Sequence, residues 1–279
     1  MIPPPSSALH PEIEERAFAA SHDGSRQTYL RARYGGRGPS AGRAPLLLVW
    51  LHGARSHQDQ GITAGIYANL FGRLAAWMAS REVTYLCPEY RGNSWMGPAA
   101  ESDLLDVLRI EKALAPPSRT LLLGGSMGAT SALIFAGRHP GQTHGVFALC
   151  PATDPAAMHP RFPADFESSY GGPPSTHAAP YRERAAMGML DALARLPIFL
   201  AHGSADAVIP VEHSRRLAAA LAARRAPCRY VELAGGDHDA PVTVDIADAL
   251  GFLLASTGHA ALDPCRGNGD KTPNPTLAP

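Results

Sequence analysis

The chain has 279 residues, 45% hydrophobic and 18% charged, with 25 basic residues against 25 acidic ones. That length supports one sizeable core, and a net charge of zero offers nothing to draw in a polyphosphate backbone, which argues against nucleic acid as a partner. The basic set is 23 arginines and two lysines, Lys112 and Lys271, neither placed for a phosphate-gripping P-loop or a Schiff base.

Met1-Ile2-Pro3-Pro4-Pro5 lacks the charged and apolar regions of a signal peptide, and the longest strongly apolar run, Leu46 to Leu51, falls far short of a membrane span. Cys87, Cys150, Cys228 and Cys265 form no CxxC pair, and the first two close apolar runs, as small buried thiols do. The expectation is a soluble, cytoplasmic protein with no membrane partner; the composition leaves its oligomeric state open.

Residues 27–34 alternate polar and apolar after the turn Asp23-Gly24, which predicts an early antiparallel strand. A glycine-rich loop follows over 35–42. Leu46 to Leu51 is apolar on both sides, the mark of a strand covered on both faces. Residues 65–80 carry Leu70, Leu74, Trp77 and Met78 at helical spacing, and Val83 to Cys87 is a second buried strand. The alternation continues with a helix over 101–114, a strand over 120–123, a helix over 127–138 and a strand over 146–149. From 151 to 189 prolines and glycines break the pattern. Order returns with a strand at 198–201, a helix at 211–224, a strand at 229–233 and a helix at 242–255. The predicted fold is α/β, a mostly parallel sheet with helices on both faces. The domain spans 21–256 with a cap insert over about 155–189, and a polar, disordered tail follows over 257–279.

In such sheets ligands gather at the carboxyl ends of strands. After Leu121-Leu122-Leu123 comes Gly124-Gly125-Ser126-Met127-Gly128 and then a helix, which is G-x-S-x-G in the context it requires. A tight turn there lifts the serine Oγ clear of the sheet. The competing reading is a phosphate-binding G-x-G-x-x-G turn, but Ser126 stands where its second glycine belongs. Asp206 follows the strand at 198–201, and His238 follows the strand at 229–233. The order Ser126, Asp206, His238 is that of an α/β-hydrolase nucleophile, acid and base. Asp206 has a rival in Asp154 and an alternative role as a helix cap, and Asp237-His238-Asp239 has an alternative reading as a metal cluster. His52-Gly53-Ala54 ends the first buried strand. An oxyanion hole would take the N–H of Met127 with that of Ala54 or Gly53.

Leu51-His52-Gly53, Pro88-Glu89-Tyr90-Arg91-Gly92, the Ser126 motif and His202-Gly203-Ser204-Ala205-Asp206 with Val208 to Pro210 resemble the catalytic domain of prolyl-oligopeptidase-like serine hydrolases, as do Tyr170-Gly171-Gly172 and Tyr181 to Arg184. The likeness runs from about Ser21 to Ala255. It implies an α/β-hydrolase fold and carries the triad onto Ser126, Asp206 and His238, with no metal or organic cofactor. The propeller that selects peptides in that family has no room in the roughly 20 residues before the first predicted strand. Many of its members also offer a tyrosine hydroxyl to the oxyanion where this chain has His52-Gly53. The expectation is therefore hydrolysis of a small-molecule ester, with a short peptide or amide as the alternative substrate and a non-catalytic binding protein as a lesser one. His52, Trp95, Met96, Tyr170 and Arg182 are the candidate substrate contacts. Arg184 is a second candidate for a substrate carboxylate, though a salt bridge is its commoner fate. Arg91 and Asp103 are expected to brace the loop above the sheet.

Overall fold

The computed structural model describes residues 11–35, 44–63 and 67–256. The tail over 257–279, most of the loop over 35–42 and the start of the helix at 65 lie outside the described residues. The strands are β1 (Ile13–Ala19), β2 (Arg26–Tyr34), β3 (Leu46–Leu51), β4 (Val83–Pro88), β5 (Arg119–Gly125), β6 (Val146–Leu149), β7 (Ile198–Gly203) and β8 (Cys228–Leu233). They form one sheet in the order β1-β2-β4-β3-β5-β6-β7-β8. β2 runs antiparallel to both β1 and β4, and all pairs from β4 to β8 are parallel. This is the mostly parallel α/β sheet that the strand pattern predicts, in agreement with the α/β-hydrolase fold that the resemblance implies.

Alternation along β3 sorts the core into two layers. Leu47, Val49 and Leu51 face α3 (Pro98–Leu114), α4 (Met127–Arg138) and α9 (Glu212–Ala223). Leu48 and Trp50 face α2 (Ala68–Ala79) and α10 (Ile246–Ala255). The short α1 (Gln60–Thr63) precedes α2. Among the described residues no helix is long and apolar enough to cross a membrane.

β1 lies ahead of the boundary at 21 that the sequence suggested. Its less exposed face carries Glu14, Arg16 and Phe18, while Ile13 and Ala17 point outward. The charged pair is tied into a network: Arg16 and Arg31 bind Glu14 at 3.1 and 2.8 Å, and Arg31 Nε donates to Glu111 at 2.9 Å. A strand whose inward positions are ionic shows no hydrophobic alternation to read.

The cap is not loop but a string of short helices: α5 (Pro155–Met158), α6 (Pro163–Tyr170), α7 (Ala178–Glu183) and α8 (Leu190–Leu193), with 3-10 turns at His159–Arg161 and Ala186–Gly188. Proline opens α5 and α6, where a missing N–H costs nothing. Phe166 stacks on Trp95 at 4.7 Å between centroids, and Tyr170 meets Tyr181 edge-on at 4.8 Å. The cap is also pinned by charge. Buried Glu101 on α3 accepts from Arg138 Nε at 2.6 Å, His139 Nε2 at 2.6 Å and Arg184 Nη2 at 2.5 Å. Burial would raise the Glu101 pKa, but hydrogen bonds from His139 and Arg138 and the charge of Arg184 outweigh it and hold it down to about 2.

Two measurements test this packing. A Cβ on Gly128 would lie 1.9 Å from the backbone oxygen of Leu51. Gly128→Ala should therefore cost at least about 2 kcal/mol in urea unfolding, because backbone cannot swing aside. Glu101 titrates lower folded than unfolded, so its contribution is complete above its ordinary pKa of 4.5 and is lost as pH falls toward about 2. Glu101→Gln should destabilise by about 3–5 kcal/mol at neutral pH, since it leaves buried Arg184 without its counter-charge. The gap between variant and wild type should close through that acid window.

Candidate active site

Four strand ends build the site. β5 turns into α4 through Ser126, whose φ of 56° and ψ of −122° lie where L side chains rarely sit. The turn is possible because strand and helix nearly touch: a Cβ on Gly124 would fall 2.4 Å from the carbonyl carbon of Gly128. Ser126 is half-buried, and its N–H donates to Leu149 O at 2.8 Å, which ties the elbow to the end of β6. The first N–H groups of α4, Met127 included, have no intrahelical acceptor.

Asp206 stands in the loop after β7 with its side chain fully enclosed. Oδ1 accepts from the N–H groups of Val208 at 2.8 Å and Ile209 at 2.9 Å. Oδ2 accepts from His238 Nδ1 at 2.6 Å and His202 Nε2 at 3.2 Å. Asp206 thus caps the turn and holds the histidine at once. Burial pushes its pKa up, but the bonds from His202, His238 and Ile209 prevail and hold it well below the usual carboxylate range. Asp154, the rival acid, instead caps α5 by accepting from Ala156 and Ala157.

His238 sits in the loop after β8. That loop is laced to the Asp206 loop by Ser204 N→Leu233 O at 2.9 Å and Ala205 N→Gly236 O at 2.8 Å. Burial disfavours charge on the ring, yet the Asp206 hydrogen bond, with Cys150 adding to it, raises the pKa above the ordinary histidine value. Nε2 faces Cys150 Sγ at 4.0 Å, and the same sulfur is 3.4 Å from His238 O. Among the described residues no hydrogen bond joins Ser126 Oγ to His238. Serine and histidine instead flank one strand end: Ser126 is bonded to Leu149, and His238 touches Cys150, the next residue. Asp237, part of the alternative metal reading, accepts from the N–H groups of Asp239 and Ala240.

Sequence reasoning missed three residues here. His202 is fully buried, and its Nε2 faces two acceptors, Ile209 O at 2.9 Å and Asp206, so that nitrogen carries the proton. Ser214 Oγ lies 2.7 Å from its Nδ1 and completes the set. Gln60 is the second. Its Oε1 accepts from Gly53 N at 2.7 Å, so the N–H of Gly53, one of the expected oxyanion donors, is already engaged. Cys150 is the third, known from sequence only as a buried thiol.

The expected substrate contacts fare differently. Trp95 and Met96 have φ of 45° and 57°, and both are fully buried. The left-handed turn drives them into the core under the cap, so neither lines an open pocket. Tyr170 is buried as well, with its hydroxyl on Trp95 O at 2.8 Å. His52 is enclosed, its ring nitrogens 2.9 Å from Gly53 O and Glu89 O. Tyr90 donates its hydroxyl to His52 O at 2.6 Å. Arg182 is exposed on α7, while Arg184 is buried on Glu101. Arg91 braces its loop as expected, on Asp103 at 2.5 Å and Asp23 at 2.7 Å. The cavity of about 500 Å³ beside that loop is lined by Arg91, Asn93, Ser94, Asp165, Ser168 and Ser169 together with Ala99, Ala100 and Ala164.

The family model of the prolyl oligopeptidase family matches residues 70–258. The chain belongs to that family. Its fold is similar to a puromycin-hydrolyzing peptidase of Mycobacterium tuberculosis, with 20% identity, a TM-score of 0.68 and coverage of 95% of this chain and 41% of that one. It is also similar to the fluorophosphonate-binding serine hydrolase FphF of Staphylococcus aureus, at 14% identity and a TM-score of 0.68, and to the S-formylglutathione hydrolase FrmB of the same organism, at 15% and 0.67. Each of those two pairings covers 88% of this chain and 98% of the other. The chain thus spans about two fifths of the peptidase and nearly all of the two smaller hydrolases. No curated protein matches the sequence.

The two-imidazole grip on Asp206 is open to test. His202→Leu removes one donor from Oδ2 and frees the carboxylate to turn. It should lower kcat by about 10- to 100-fold with a smaller change in KM. His202→Gln, which keeps an N–H, should recover part of the loss in the same steady-state assay.

Proposed function

We propose that this member of the prolyl oligopeptidase family hydrolyses carboxylic esters of small molecules through an acyl-enzyme on Ser126. The observation that carries the reading is the 2.6 Å bond from His238 to buried Asp206, at a strand end shared with a serine on a strained elbow. Ser126 Oγ attacks the ester carbonyl while His238 Nε2 takes its proton, and Asp206 stabilises the imidazolium that forms. Nε2 turns from Cys150 to Ser126 when substrate arrives, since such bonds tighten in the Michaelis complex. The N–H groups of Met127 and Ala54 receive the oxyanion. His238 then protonates the leaving alcohol, and a water activated by the same nitrogen releases the acid.

One point favours an ester over a peptide. Tyr90, the tyrosine bonded beside the oxyanion loop, is committed to His52 O, which leaves the second donor to backbone. Amide cleavage by the same residues is the second reading, favoured by the family match itself. We place the protein in the cytoplasm, where the buried thiols of Cys87, Cys150 and Cys228 stay reduced.

Ser126→Ala should lower kcat/KM on p-nitrophenyl acetate by about 10⁴-fold or more and abolish labelling by a fluorophosphonate. Undiminished hydrolysis in that variant would overturn the assignment. Aminoacyl p-nitroanilides run beside the ester separate the two substrate readings: the ester should be turned over faster at equal concentration.

A further inference from the structure

We propose that Cys150 and His238 form an inhibitory site for a thiophilic divalent cation, Zn²⁺ or Cd²⁺, which competes with catalysis for one imidazole nitrogen. The competition rests on the catalytic role given above to His238; the site itself rests on geometry. Three groups able to hold a metal converge here: a thiol of Cys150, a carboxylate oxygen of Asp206 and a ring nitrogen of His238, all within 4.8 Å of one another.

Their roles divide by what each already does. All four acceptor directions of Asp206 are used, by Val208, Ile209, His202 and His238. It is therefore an outer partner, not a ligand. Its bond to His238 Nδ1 places the neutral ring's proton there and leaves the lone pair on Nε2. Metal-binding histidines are fixed in this way, by a carboxylate on the far nitrogen. The Asp206–His238 pair is such a unit without modification.

Nε2 in turn faces Cys150 Sγ at 4.0 Å. A zinc–sulfur bond of about 2.3 Å and a zinc–nitrogen bond of about 2.0–2.1 Å, laid end to end, exceed that gap. An ion between the two atoms thus makes both bonds at a bent angle, and a small side-chain rotation brings the angle toward tetrahedral. Water fills the remaining positions. Cys150 is 2% exposed at a backbone φ of 45°, so its sulfur is held at the strand end rather than free to swing. A thiolate with an imidazole selects zinc or cadmium over calcium or magnesium, which need several oxygens. Binding releases the thiol proton, together with the Nε2 proton of a charged ring, to solvent and leaves thiolate and neutral imidazole on the ion. Nε2 can then neither take the Ser126 proton nor return it, so the ion is an inhibitor and not a cofactor.

The test uses the full chain, with two readouts. In the first, ZnCl₂ is titrated into p-nitrophenyl acetate hydrolysis and then removed with EDTA. Wild type should lose activity and regain it. Cys150→Ala should need at least about tenfold more zinc for the same fractional loss, each variant being referred to its own metal-free rate. In the second, CdCl₂ should raise an ultraviolet thiolate-to-cadmium band in wild type that is lost in Cys150→Ala and weakened in His238→Ala. Equal zinc sensitivity of wild type and Cys150→Ala, or a cadmium band unchanged by Cys150→Ala, would overturn the proposal. A cadmium band that depends on both residues, with hydrolysis unaffected by the ion, would uphold the site and overturn the catalytic role of His238.

Discussion

The Asp206 carboxylate is the constraint on which the site depends. A buried carboxylate without partners is too costly to remain ionised, and its pKa would climb until it took a proton. Here it stays charged because two backbone N–H groups of its own loop and two imidazoles donate to it. Those four donors come from both sides of the β7–β8 pair. His202 is the fifth residue of β7, Val208 and Ile209 follow in the same loop, and His238 arrives from beyond β8. The parallel register that sets Gly203 against Leu233 is what brings the last of them within reach. A Cβ on Gly203 would lie 2.2 Å from Asp237 O, so the two loops approach as closely as bare backbone permits. Fold and electrostatics are one problem at this point: the sheet register supplies the counter-donors, and the charge they stabilise orients the histidine.

How much of this the sequence discloses follows from which residues face apolar surroundings. β3 and β6 are read to the residue because they are unbroken apolar runs covered on both sides, and α4 because it begins straight after the G-x-S-x-G turn. β1 escapes because Glu14 and Arg16 occupy its inward positions and find their partners on other elements. The short helices between β6 and β7 escape because each is a turn or two long and α5 and α6 open on proline, so composition there reads as loop. Ser126, Asp206 and His238 are legible because a strand end, a small-residue turn and a chain order each narrow the choice. Gln60 leaves no such trace. It acts by reaching back seven residues to one N–H, and only three dimensions show that the Gly53 donor is already engaged.

Trp95 and Met96 mark a different limit. Their side chains are those of a ligand pocket, and they follow a strand end. Yet Tyr90, Arg91, Trp95 and Met96 all have positive φ, and the loop coils back so that both side chains enter the core. Side-chain type indicates what a residue can bind; backbone sign decides which way it points.

That sign recurs across the catalytic edge. Of the non-glycine residues with positive φ among the described residues, Arg55 follows β3, the Tyr90 to Met96 set follows β4, Ser126 follows β5 and Cys150 follows β6; Arg225, just after α9, is the exception. Each such residue costs about 1–3 kcal/mol and persists only where its surroundings over-determine it. The surroundings here are the two apolar layers on the parallel strands, which fix where each strand stops while leaving its next residue no extended path. Ser126 and Cys150 are adjacent cases, joined through the Ser126 N–H on Leu149. The packing that strains the serine outward also turns the neighbouring thiol toward His238. One imidazole nitrogen thereby lies beside a sulfur held at the strand end to which the serine's own N–H is tied.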